Sequence, residues 1–145
     1  MPILKYLADT DAISDSGRVP TVTHWFAQHR HQIAISTFAL AEMGRGVELK
    51  AKKGGNWLNL QRKLGFVLQD FQGAILPFEQ AEASEWGRMM ALWEKALPPL
   101  GDSYIAAVGL AHELTVVTGN VDHFRPVRRI NPHDGSEYPP DQAPA

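Results

Sequence analysis

Short apolar runs alternate along this chain with longer stretches in which apolar positions recur every three or four residues. The runs read as strands and the stretches as helices. The first run, Pro2-Ile3-Leu4-Lys5-Tyr6-Leu7-Ala8, stops on Asp9-Thr10-Asp11 and predicts a central strand with a carboxylate at its C-terminal end. A short turn or helix from Ile13 follows and ends near Gly17. Thr21 to His31 spaces Val22, Trp25, Phe26 and His29 as an amphipathic helix, and residues 32–36 form a second strand.

Ser36 or Thr37 can cap the next helix, predicted from Phe38 to about Lys53. Its stripe of Phe38, Glu42, Arg45/Gly46 and Leu49 places Glu42 on a partly apolar face. Gly54-Gly55-Asn56 breaks it. Trp57, Leu60, Leu64, Val67/Leu68 and Phe71 mark another helix, and residues 73–78 a brief strand. Glu79 to Leu97 predicts a helix with Trp86, Met90, Trp93 and Leu97 inward, halted by Pro98-Pro99. A helix from Gly101-Asp102-Ser103 to about Glu113 then leads into Leu114-Thr115-Val116-Val117-Thr118, a β-branched strand closed by Gly119-Asn120. Val121 to Phe124 reads as a turn or short helix, and Arg128-Arg129-Ile130 as an edge strand.

Strands alternating with helices predict an α/β sandwich with a mainly parallel sheet. Residues 1–132 read as one domain, without internal repeats. Residues 133–145 carry prolines and almost no apolar side chains, which predicts a disordered or loosely attached tail.

Composition narrows the function. At 145 residues and 44% apolar, the chain can bury a real core. A net charge of −2 gives no bulk attraction to nucleic acid, so local basic clusters would have to supply it. The absence of cysteine excludes disulfides, thiolate zinc sites and thiol nucleophiles. No run is long enough to span a bilayer and no signal pattern opens the chain. The expectation is a cytoplasmic protein with no membrane partner.

Four positions then stand out: Asp9 after the first strand, Glu42 inside a helix, Asp102 at a helix start and Asn120 after the last strong strand. Parallel sheets build their sites beyond the strands' C-terminal ends. Converging there, three carboxylates and an amide oxygen would offer hard ligands to Mg²⁺ or Mn²⁺. Without a cation they would repel and raise one another's pKa values. Taken singly, Asp102 also suits a helix cap and Asn120 a turn. Other chemistries fail: His29 and His31 do not share a helix face, and neither a P-loop nor a G-x-S-x-G elbow is present.

Residues 7–14 (LADTDAIS), 35–43 (ISTFALAEM), 102–107 (DSYIAA) and 116–124 (VVTGNVDHF), with Ile130-Asn131-Pro132 near the end, resemble the motif blocks of the PIN-domain family, in order. The similarity is to its VapC-type toxin branch. It implies a three-layer sandwich, a mainly parallel central sheet flanked by helices, and a Mg²⁺-dependent endoribonuclease neutralised by a cognate antitoxin. Asp9, Glu42 and Asp102 match the family's acidic triad and Asn120 its fourth corner, as catalytic and metal-binding residues. Thr118 or Ser36 would support them. Two departures are visible: the family often carries Asn at Asp11 and Asp at His123. The resemblance further implies an RNA substrate, met along Arg45, Lys50, Lys52, Lys53 and Arg62, and a homodimer. It also allows a module that acts mainly as partner of a DNA-binding antitoxin in a repressor complex.

Overall fold

The computed structural model describes residues 3–145; Pro2, the first residue of the opening run, lies outside the described residues. Six strands, β1 (Tyr6–Ala8), β2 (Ile33–Ser36), β3 (Ile75–Leu76), β4 (Thr115–Val117), β5 (Arg129–Ile130) and β6 (Glu137–Tyr138), form one sheet in the order β3-β2-β1-β4-β5-β6. Every pairing is parallel except that of β5 with β6. The helices are α1 (Thr10–Ser16), α2 (Pro20–His29), α3 (Thr37–Lys52), α4 (Trp57–Asp70), α5 (Gln80–Leu92) and α6 (Leu100–His112).

Alternate strand residues point to opposite faces, and both faces are covered. Leu7, Ala34 and Val116 pack beneath Met89 and Trp93 at α5 and Ile105 and Val108 of α6. Ala8, Ile33, Ile35 and Val117 meet Ile13, Trp25 and Ala39 from α1, α2 and α3. The result is the expected three-layer α/β sandwich. Burial on both sides explains why β1, β2 and β4 read as unbroken apolar runs. α6 rides close on β4 because Gly109 has no side chain: a Cβ there would meet Val116 Cγ2 at 3.2 Å.

Glu113 ends α6 in the left-handed region (φ 55°), where its backbone N–H caps carbonyls of the last turn. A side chain in that region is strained and glycine is not. Glu113→Gly is expected to raise stability by about 0.5–1 kcal/mol, which a denaturant titration would resolve.

Three expectations need correction. α5 stops at Leu92, five residues early, and Leu97 is 57% exposed rather than inward. Pro98 pushes only Leu97 out of helical geometry; residues 93–95 have already left the helix as turns. Second, β5 is interior, because β6 pairs outside it. Third, residues 133–145 are not loosely attached. Arg129, 3% exposed, donates to the carbonyls of Val121 and Pro139, Asp141 N donates to Arg125 O, and Ala143 packs against the core. Polar ties replace the apolar anchors that the segment lacks. Trp25 of α2 is buried, stacked on His29 at 4.1 Å and edge-on to Tyr6, and belongs to the core.

Candidate active site

β1 lies between β2 and β4, so the strand order reverses direction around it. Crevices at such points, beyond the C-terminal strand ends, are where α/β sheets bind ligands. Asp9 leaves β1 there and caps α1: its Oδ1 accepts from Ala12 N at 2.8 Å. Its Oδ2 accepts from Thr118 Oγ1 at 2.6 Å. Thr118, fully buried just after β4, in turn accepts from Asn120 N at 2.9 Å. One hydroxyl thereby joins the ends of the two central strands to the same carboxylate.

Asp9 is 2% exposed, and its pKa is pushed up to about 7. Burial is the main cause, the hydrogen bonds from Thr118 and Ala12 oppose it, and the charges of Asp11 and Asp102 add to it. Charged groups lose solvation when buried and repel like neighbours.

Asp102 sits in the first turn of α6, whose N-cap is Pro99, so it is not itself the cap. That turn is held from outside by Tyr104, ringed by Phe38, Phe78 and Trp86 at 5.1, 5.5 and 5.6 Å, and by Trp86 Nε1 donating to Ser103 Oγ at 2.9 Å. Burial raises the Asp102 pKa, the His123 contact lowers it, and Glu42 and Asp11 raise it again. His123 Nδ1 lies 2.9 Å from Asp102 Oδ2; a carboxylate can only accept, so Nδ1 carries the proton in this pair. Glu42, one turn into α3, accepts from Thr10 Oγ1 at 2.5 Å through Oε1. Its Oε2 lies 3.5 Å from where a Cβ on Gly101 would stand, beside Asp102.

The structure therefore draws Asp9, Glu42 and Asp102 to one end of the sheet. Asn120 arrives by another route: its Nδ2 donates to Asp11 Oδ2 at 2.9 Å. Ser36 caps α3 by accepting from Ala39 N, and Thr118 donates to Asp9. Asp11, Thr10 and His123 were not among the predicted site residues. The only signal for two of them was their departure from the family pattern. Thr10 gave none.

Among the described residues no three His, Cys, Asp or Glu side chains stand close enough together to hold a metal ion. Each acid is instead tied to a separate partner: Asp9 to Thr118, Glu42 to Thr10, Asp102 to His123 and Asp11 to Asn120. Spreading the carboxylates apart lowers their mutual repulsion. The donor set still fits a hard cation. It consists of carboxylate and amide oxygens, and Mg²⁺ needs only one or two protein carboxylates while keeping several of its waters.

No family model matches this chain, and no curated protein matches it. Solved structures do. FitAcB from Neisseria gonorrhoeae is 28% identical over 89% of this chain and 99% of its own, with a TM-score of 0.76. DNA-bound VapBC from Salmonella typhimurium is 26% identical over 84% and 91%, with a TM-score of 0.67. A toxin–antitoxin complex from Klebsiella pneumoniae matches in fold, at 22% identity over 88% and 98% and a TM-score of 0.67. The mostly parallel six-stranded sheet flanked by helices matches the PIN fold of such neighbours. Within that class the chain resembles the VapC-type toxins, as its motif blocks imply.

Proposed function

We propose that this chain is a single PIN-like nuclease domain that cuts RNA with Mg²⁺ as cofactor and is silenced by an antitoxin. The observation that carries the reading is Asp9: a buried carboxylate with a pKa near 7, facing the fields of Asp11 and Asp102 at the sheet's switch point. A fold keeps so costly a group where a cation or a reacting proton repays it.

Asp9 and Asp102 would hold the metal, with Glu42 and Asn120 at its margin. When bound, the cation supplies charge neutralisation for a phosphodiester and its leaving oxygen. The protein's own part is positioning. Thr118 and Ala12 fix the Asp9 carboxylate by two hydrogen bonds, and His123 fixes Asp102. Thr10 occupies Oε1 of Glu42, which leaves Oε2 to orient a water and accept its proton. Lys50, Lys52 and Lys53 end α3 about 12–16 Å along the helix axis from Glu42, at 1.5 Å per residue. That is within reach of phosphates flanking the scissile one, so these cations would steer the strand.

The test is incubation of purified protein with total RNA, with and without Mg²⁺, followed by sequencing of new ends. Mg²⁺-dependent cuts are expected, and their absence would defeat the nuclease reading. A second reading has its own support in the separated carboxylates. On it, the chain acts as partner of a DNA-binding antitoxin. Tight operator binding by the pair, with no RNA cleavage, would favour it.

A further inference from the structure

Beside the acidic crevice, sharing His123 with it, lies a recess of about 160 Å³. Ala96, Pro98 and Pro99, in the segment between α5 and α6, give it apolar walls; Asp122, His123 and Arg125 give it polar ones. We propose that this recess receives one unpaired nucleobase of the RNA strand, next to the scissile phosphate, and so sets which nucleotide stands beside the cut. The inference rests on the ribonuclease reading above and supplies its specificity.

Three observations support it. His123 belongs to both places: its Nδ1 side is fixed on Asp102 at 2.9 Å while the ring borders the recess. An occupant is thus within one side chain of a proposed catalytic carboxylate. Second, the polar wall is ordered before any ligand arrives. Arg125 lies over the Trp93 ring at 5.1 Å and donates through Nε to Asp141 Oδ2 at 3.0 Å. A planar guanidinium so fixed loses little freedom when it meets a base edge. Third, the chemistry suits a base. Flat apolar faces and an imidazole ring accept stacking, and a carboxylate and a guanidinium can read donor and acceptor edges. The volume falls well below the roughly 300 Å³ at which pockets for drug-sized ligands begin. It suits one ring system and excludes a duplex.

The closing experiment pairs binding with cleavage. The full-length Asp9→Asn protein is titrated with a labelled single-stranded hexaribonucleotide and with versions carrying one abasic position. Loss of the base at one position is expected to weaken binding about 10-fold, the scale of one base stack, and loss elsewhere to have much smaller effects. Ala96→Leu, which fills the recess, and Asp122→Ala, at an exposed position that folding tolerates, should each flatten that difference. Wild-type protein acting on a randomised single-stranded RNA should show nucleotide bias at one position beside the cut, lost in Asp122→Ala. Cleavage with no bias, and abasic effects equal at all positions, would overturn the recess while leaving the nuclease intact. Position-selective binding without cleavage would keep the recess and overturn the nuclease. Neither binding nor cleavage would overturn both.

Discussion

Asp9→Asn is expected to reduce RNA cleavage by at least about 1,000-fold while making the metal-free protein more stable above pH 7. The two effects share a cause. The Asp9 carboxyl is pushed up to about 7 from 3.8. Between those values the folded state holds a proton that the unfolded chain has released, so wild-type stability falls as pH rises from about 4 to 7. The penalty is complete above 7 and absent below about 4. By the shift alone it amounts to at most about 4 kcal/mol. The amide removes it but must turn its NH₂ toward Thr118, whose hydroxyl proton loses its acceptor at a cost of about 1 kcal/mol. A net gain of about 1–3 kcal/mol at pH 8 should therefore vanish near pH 4. Thermal melts across pH, without divalent metal, read the first part, and cleavage assays in Mg²⁺ the second. A variant that cleaves normally, or that melts lower at pH 8, would refute the account.

The second large effect is expected far from the crevice. Arg129→Met should cost about 3–5 kcal/mol, since several carbonyl acceptors lose a charged donor at about 1–3 kcal/mol each. The guanidinium is buried and donates to carbonyls of Val121, Val127 and Pro139, with Asp141 beside it at 3.5 Å. Methionine fills similar space but leaves those carbonyls without their charged donor, and Asp141 with Arg125 alone. Because the same contacts hold residues 133–145, limited proteolysis should clip that segment early in the variant and late in wild type. Equal clipping would show that β6 is held by its ladder alone.

These two residues also mark where sequence reading succeeds and where it stops. Asp9 was legible because it ends an apolar strand, and a carboxylate there has a position and a chemistry that the chain alone supplies. β1, β2 and β4 were legible for the related reason that a doubly covered strand is apolar at every residue. Arg129 was read only as part of a strand, since its burial depends on carbonyls eight to ten residues away that no periodicity encodes. The pairing of Asn120 with Asp11 spans 109 positions, and that of His123 with Asp102 spans 21. Such contacts follow from the fold, so the sequence showed the acids near the sheet's end without showing which partner each would take. The end of α5 was misplaced because the apolar spacing of Trp93 and Leu97 continues past the point where the helix stops.

The two outermost strands, β3 and β6, contain only two residues each. A sheet ending so briefly on both sides offers hardly any free ladder onto which a foreign strand could add. Recruitment of another polypeptide by β-augmentation is therefore disfavoured at either margin. The helices are then the larger regular surfaces open to another chain. Trp57, Leu58, Phe66 and Leu68 of α4 already present exposed apolar side chains there.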